Sequence, residues 1–161
     1  MGPVITIGYL LQHTATILMR QSDQVLQERL GIGMSQFRLL MMLQTNPNVQ
    51  QRKLAECLGQ TEASISRQIK LLVEKGLLGV RVNPKSRREH MTMPTAKGQK
   101  ITEAALEVLK QYHQPMFDLL TTKQQQQLTE SLRKFHDYTC ASGRQFACDR
   151  AFDKPLDADT H

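Results

Sequence analysis

Two groups of basic side chains are the residues whose types and spacing indicate chemistry in this sequence. Lys85, Arg87 and Arg88 fall within four residues, and Arg67 and Lys70 lie upstream of them, three residues apart. Guanidinium and ammonium groups bind phosphate through charge-assisted hydrogen bonds, and arginine can also pair with guanine through two parallel bonds. We therefore expect this part of the chain to bind a polyanion.

The net charge of +6 is confined to the same part of the chain. Residues 34–94 include ten basic and four acidic side chains, whereas the rest of the sequence carries eleven of each. A charge that served only solubility would more often be spread over the whole surface. The distribution therefore favours nucleic-acid binding.

Composition and hydrophobic patterning predict a mainly α-helical protein with a small β-wing. Aromatic residues make up 5% of the chain and Trp is absent, while Leu, Gln and Met are plentiful. This balance favours packed helices over a sheet sandwich. The predicted parts are a long N-terminal helix (1–33), a lobe of short helices with a hairpin (34–94), C-terminal helices (95–142) and an acidic, poorly ordered tail (143–161).

Glycines and hydroxyl side chains predict where the helices begin and end. Gly31 and Gly33 should end the first helix, and Gly76 should end the fourth. Beyond Gly76 the apolar residues alternate along the chain, which predicts a hairpin. The residues predicted to open or cap helices are Ser35, Thr61, Thr95 and Thr122, the last in a capping box with Gln125.

Ala55, Gly59 and Ile65 have the spacing that a helix-turn-helix requires. A small residue at 55 lets the second helix cross closely, and a glycine at 59 can adopt the positive φ of the turn. Ile65 would fill the space between the two helices. The second helix would then present its outward face to a major groove.

Side chains on that outward face can make both phosphate and base contacts. Arg67 can bind guanine or phosphate, Ser64 and Ser66 can donate hydrogen bonds, and Ala63 can contact a thymine methyl group. Basic residues at the hairpin tip would reach a minor groove. The predicted DNA-binding residues are Arg52, Thr61, Glu62, Ala63, Ser64, Ser66, Arg67, Lys70, Lys85, Arg87 and Arg88. The alternatives are a solvated helix face and a charged hairpin that keeps a sheet edge soluble.

The segment Leu54 to Gly98, LAECLGQTEASISRQIKLLVEKGLLGVRVNPKSRREHMTMPTAKG, resembles the MarR family of bacterial transcription regulators. The resemblance begins at Ser35 and implies a winged helix-turn-helix lobe between N-terminal and C-terminal dimerisation helices. It implies a homodimer that binds a pseudo-palindromic operator in double-stranded DNA. It further implies repression that is relieved by a small aromatic or phenolic ligand or by cysteine oxidation.

The resemblance assigns roles to individual positions and shows two departures. Ser86 stands where the family usually has Asp, so the acid that would steady a wing arginine is absent. Pro94 stands where Leu usually precedes the long helix, which bears on how the wing joins that helix. The resemblance places Thr61, Ser64, Ser66 and Arg67 on the recognition helix, and Arg87 and Arg88 on the Asp-x-Arg pattern of the wing.

Tyr9 and His13, on the first helix, are predicted to line a pocket for the effector. The five histidines are scattered, so neither a metal site nor a cofactor is predicted. No Ser/His/Asp set, phosphate loop or pair of carboxylates at catalytic spacing is present, which argues against an enzyme.

The cysteines and the N-terminal segment bear on location and on the alternative functions. Three cysteines without short paired spacing argue against a secreted disulfide framework. The apolar start fits neither a signal peptide nor a membrane span, so we expect a cytoplasmic protein without a membrane partner. A redox switch through Cys140 and Cys148 and a winged-helix module that binds protein remain alternatives.

Overall fold

The computed structural model describes residues 2–46, 49–83 and 86–141, and their side chains except those of 82, 83, 86–90, 140 and 141. Within these residues the chain is mainly helical and contains one antiparallel two-stranded sheet, as predicted. No helix in the described ranges is long and apolar enough to cross a membrane. The elements are α1 (Pro3–Leu30), α2 (Met34–Thr45), α3 (Gln51–Leu58), α4 (Glu62–Glu74), β1 (Leu78–Asn83), β2 (Ser86–Pro94), α5 (Ala96–Phe117) and α6 (Thr122–Ala141).

The junction between α1 and α2 corrects one predicted cap. Gly31 has φ 66° and ends α1, as predicted. Ser35, however, lies inside the first turn of α2, which begins at Met34, so its prediction as the N-cap is wrong. Asp23 Oδ1, on α1, instead accepts the backbone N–H of Met34 at 2.7 Å. A Cβ at Gly33 would lie 2.8 Å from the same carboxylate oxygen, so a larger residue before α2 would have to displace the Asp23 side chain from this capping position.

The start of α6 corrects a second predicted cap by one residue. Thr121 and Gln124 form the capping interaction: Thr121 N–H donates to Gln124 Oε1 at 2.9 Å, and Gln124 N–H donates to Thr121 Oγ1 at 3.3 Å. Gln125 Nε2 donates backwards to Phe117 O at 2.9 Å. Thr122 and Gln125 have the same spacing, which is why the pattern alone selected the wrong pair.

The hydrophobic core lies in the lobe formed by α2, α3, α4 and the start of β1, covered on one side by α1 and α5. Each large aliphatic side chain that is removed from water here contributes on the order of 2 kcal/mol. The core therefore fixes the short helices relative to one another. Its fully buried large side chains are Leu26, Ile32, Leu39, Leu40, Leu43, Leu54, Ile65, Leu72 and Leu77.

The terminal helices are far less covered than the lobe. No side chain described in α6 is buried, and in the N-terminal half of α1 every residue except Gly8 is exposed. Apolar side chains are nevertheless frequent there, and an exposed apolar face of this extent is typical of an interaction surface. The exposed large apolar residues of these helices and their linker are Val4, Ile5, Ile7, Tyr9, Leu10, Leu11, Ile17, Met19, Tyr112, Phe117, Leu119, Leu128, Leu132, Phe135 and Tyr138.

Candidate nucleic-acid interface

The turn between α3 and α4 has the backbone geometry that the sequence predicted. Gly59 has φ 63°, and its N–H donates to Glu56 O at 3.2 Å. Gln60 N–H donates to Ala55 O at 2.9 Å. This pair of bonds is a Schellman motif, which satisfies the last carbonyls of α3 and turns the chain sharply.

The two helices of the turn pack as the spacing predicted. Ala55 and Ile65 are 4% and 0% exposed, so the small residue and the large one meet in the core. Ile69 and Leu72 bury the same side of α4 farther along. Burial of this stripe determines that the opposite face of α4 points away from the lobe.

The N-terminal half of α4 presents most of the predicted contact residues to solvent. Thr61 Oγ1 accepts the backbone N–H of Ser64 at 3.1 Å, which confirms Thr61 as the N-cap. Glu62 lies in the first turn, where a carboxylate interacts favourably with the helix dipole. The predicted residues that are exposed on this face are Thr61, Glu62, Ala63, Ser66, Arg67 and Lys70.

Ser64 differs from its neighbours on α4. It is half-buried, and its hydroxyl donates to Gln60 Oε1 at 3.2 Å. The hydroxyl that was predicted to contact DNA therefore already has a partner within the lobe.

Arg52 lies on the exposed side of α3 and is paired within its own helix. Its Nε is 3.2 Å from Glu56 Oε1, one turn later. An exposed pair of this kind is worth less than about 1 kcal/mol, so a phosphate can compete for the guanidinium.

The strand register places the wing arginines at an irregularity. Val82 pairs with His90, but the next residue, Asn83, pairs with Ser86. Arg87 and Arg88 therefore lie in a stretch of β2 with no partner in the regular register, as in a bulge that redirects a strand. Lys85 lies outside the described residues, and only the backbone of Arg87 and Arg88 is described.

The wing joins α5 through close backbone contacts. Pro94, which departs from the family pattern, is buried and pairs with Leu78 at the base of the hairpin. The strand β2 therefore continues as far as this proline. Thr95 N–H donates to Leu77 O at 3.0 Å, and Thr95 Oγ1 donates to Gly76 O at 2.7 Å. Thr95 also accepts the N–H of Gly98 at 3.1 Å and so caps α5.

Two lysines near this joint have structural partners. Lys75 Nζ donates to Gly31 O, at the end of α1, at 2.8 Å. Lys97 Nζ donates to Lys75 O at 3.0 Å. The charge count of the sequence included Lys75, but its contact shows that the ammonium supports the lobe.

A cavity of about 660 Å³ lies between α1, the start of α2 and the α3–α4 turn. Arg20 and Arg38 line it together with Asp23, whose carboxylate caps α2. These residues are far apart in the chain, so no sequence pattern predicts that they share a site. The predicted effector residues Tyr9 and His13 lie elsewhere on α1, exposed and stacked on each other with ring centroids 5.5 Å apart.

The cysteines and histidines form no cluster in the described parts of the chain. Cys57 is half-buried on α3. Among those parts, no group of three or more His, Cys, Asp or Glu residues is placed to hold a metal ion. The predicted redox pair lies outside this description, since the side chain of Cys140 and all of Cys148 are beyond it.

Comparison with known proteins identifies the lobe and the fold. Residues 30–89 match the sequence model described as the MarR family. No curated protein matches the sequence significantly.

Solved structures match most of the chain. A structure described as MarR aligns with a TM-score of 0.72 and 20% identity over 82% of this chain and 92% of the other. Wild-type apo MarR from E. coli aligns with a TM-score of 0.69 and 24% identity, over 80% and 95%.

A further match is a Mycobacterium tuberculosis MarR family protein in complex with salicylic acid. It has a TM-score of 0.69 and 24% identity, covering 80% of this chain and 94% of the other. At these identities the solved structures establish the fold. Together with the sequence match over residues 30–89, the fold shows that this chain is similar to MarR family proteins.

Proposed function

We propose that this protein is a cytoplasmic, sequence-specific DNA-binding transcription regulator that acts as a homodimer. The observation that carries the proposal is the exposed face of α4, where Ser66, Arg67 and Lys70 project from a helix whose other face is buried in the core. Rigid support from a core is what base recognition requires. The charge excess of residues 34–94 supplies the attraction for phosphate.

In the proposed complex, each subunit inserts α4 into a major groove. The hairpin with Lys85, Arg87 and Arg88 reaches the adjacent minor groove. Two-fold symmetry requires two half-sites about one helical turn, roughly 10 bp, apart. Arg52 and the N-terminal turn of α4 contribute phosphate contacts that set the register.

The terminal helices support the proposed dimer. α6 buries none of its described side chains within the subunit, and a helix without tertiary packing is only marginally stable in water. Leu128, Leu132 and Phe135 recur along it at helical spacing and are exposed. A second copy that covers these side chains and the N-terminal half of α1 explains both observations.

The cavity beside Arg20 and Arg38 is the proposed effector site. Two guanidinium groups suit an aromatic acid, and the related M. tuberculosis protein binds salicylic acid. Binding there would relieve repression. Tyr9 and His13, which are exposed on α1, would contribute only if the partner subunit brings them to the cavity.

The experiment is DNA binding by the full chain to a duplex that it enriches from random sequences. We expect Arg67→Ala to weaken binding by roughly tenfold to a hundredfold, the effect of losing one base contact. Arg29→Ala removes the same charge from an exposed site on α1 and should change affinity less than twofold. Equal effects of the two variants would contradict the role of α4.

A further inference from the structure

Gln60 joins α2, α3 and α4 through one side chain and one backbone N–H. Its Nε2 donates to Ser35 Oγ at the start of α2. Its Oε1 accepts hydrogen bonds from Ser64 Oγ at 3.2 Å and from Gln68 Nε2 at 2.6 Å, both on α4. Its backbone N–H ends α3 through the bond to Ala55 O. One residue therefore fixes the end of α3 and connects α4 with α2.

The amide of Gln68 depends on this arrangement. Gln68 is half-buried, and within the described residues its other hydrogen bond, from Nε2 to Ser64 Oγ, is long at 3.4 Å. Its Oε1 is buried and accepts no hydrogen bond within the described part of the chain. Loss of Gln60 would leave nearly the whole amide without partners. Buried polar groups without partners are costly, so α4 would shift to satisfy them.

The network lies on the side of α4 that faces the lobe, whereas Arg67 and Lys70 lie on the exposed side. Packing of Ile65 and Ile69 holds α4 against the core, but apolar contacts are not directional. Hydrogen bonds have defined lengths and angles, so the amide contacts specify the rotation and position of the helix more narrowly. A small displacement of α4 would misalign bidentate contacts to bases while leaving phosphate attraction intact.

We propose that Gln60 is a positioning residue that sets the recognition helix against α2 and thereby determines base selectivity. This inference rests on the proposed function, because it concerns the helix that reads DNA there. Gln60 itself need not touch DNA; it acts through Ser64 and Gln68.

The test compares the full-length wild type with Gln60→Met, which keeps the length of the side chain and removes its hydrogen-bonding groups. Dissociation constants are measured at one salt concentration for the duplex enriched by the wild type and for a scrambled duplex of the same length and composition. The measure of selectivity is the dissociation constant for the scrambled duplex divided by that for the enriched duplex. We expect this ratio to fall about tenfold, within the range of coupling energies for one network. Affinity for the scrambled duplex should not change, because the phosphate-binding charges remain.

An unchanged ratio overturns the inference. A variant that merely unfolds in part lowers both affinities by the same factor and so also leaves the ratio unchanged. The matched control is Gln111→Met on α5, where the amide is exposed and bonds, in the described part of the chain, to Glu107 of its own helix at 2.6 Å. It should leave the ratio within twofold of the wild type.

Two further variants keep the inference falsifiable if Gln60→Met does not fold. Ser35→Ala removes the α2 end of the network, and Gln68→Met removes the α4 end; each should lower the ratio. The double variant Gln60→Met/Gln68→Met should have the same ratio as Gln60→Met alone, because Gln68 acts through its hydrogen bond to Gln60. Full additivity, or an unchanged ratio in Ser35→Ala, overturns the inference. A wild type that enriches no duplex defeats the proposed function and this inference with it.

Discussion

The recognition helix and the hairpin carry basic residues of the same kind, but the lobe supports them differently. α4 buries Ile65, Ile69 and Leu72 along its length, and its N-terminal turn is capped and bridged to α2. Among the described side chains of the hairpin, those of Leu78 and Pro94 at its base are buried, and Val80, two residues beyond Leu78, is already 52% exposed. The alternating apolar residues Leu78 and Val80 on β1 therefore do not form a continuous buried face. We therefore expect α4 to determine base selectivity. The hairpin should contact the groove and the phosphates with less dependence on base sequence.

The largest predicted effect separates these regions by stability. Ile65→Ala leaves a cavity at a fully buried site and should lower the free energy of unfolding by about 3 kcal/mol. Val80→Ala removes apolar atoms that are half exposed and should cost less than about 1 kcal/mol. Urea unfolding of both variants measures the difference. Similar losses would mean that the hairpin is as firmly integrated as α4.

A second prediction concerns the joint between the hairpin and α5. A Cβ at Gly98 would lie 2.1 Å from Leu77 O, so Gly98→Ala must displace the backbone where the hairpin meets the helix. We expect a loss of about 2 kcal/mol in thermal or urea unfolding. Gly8→Ala is the control, because a Cβ there meets no atom within 4 Å. It should be neutral or stabilising by up to about 1 kcal/mol. A tolerated Gly98→Ala would contradict this description of the joint.

A smaller effect is expected at the start of α4. Thr61→Ala removes the cap of the Ser64 N–H and should cost about 1 kcal/mol of unfolding free energy. Thr14→Ala, on the exposed surface of α1, makes the same chemical change within a helix and should not destabilise. If the two variants unfold alike, the cap contributes nothing to the stability of α4.

The smallest effect depends on pH and tests the contact between α1 and α5. Burial lowers the pKa of His113 below its usual value of 6.5, and its Nε2 is 2.9 Å from Ser22 Oγ. The unfolded chain therefore takes up a proton at this site at higher pH than the folded chain does. Stability should fall as pH decreases through the window just below 6.5 and level off below the pKa of the folded state.

The measurement for this prediction is the change in unfolding free energy between about pH 8 and about pH 5, in wild type and His113→Gln. Taking the difference between the two proteins cancels the other titrating groups. The wild type should lose more stability than the variant on acidification. An equal loss would show that burial of His113 has no thermodynamic consequence.

Local signals allowed the helix-turn-helix to be predicted from the sequence. The left-handed conformation of Gly59, the cap at Thr61 and the buried Ile65 each follow from a residue type at a fixed spacing. Contacts between distant segments could not be predicted in this way. Asp23 caps a helix that begins 11 residues later, and Gln60 bonds to a serine 25 residues earlier. No periodic pattern records such pairs.

The same limit explains what the charge count missed. The excess of basic residues in 34–94 indicated a polyanion partner, but it could not distinguish the exposed Arg67 from Lys75, whose ammonium bonds to Gly31 O. Only the fold separates cations available to a partner from cations used inside the lobe. The sequence likewise does not show which apolar residues of α1 and α6 lack cover within the subunit, and the structure exposes many of them.

The most direct test of the central claim is sequencing of the duplexes that wild type and Arg67→Ala each enrich from a random pool. We predict a palindrome with half-sites roughly 10 bp apart for the wild type. Arg67→Ala should lose the preference at one position in each half-site and keep the others. Enrichment of no common sequence, or the same preference in both proteins, would contradict recognition of DNA by α4.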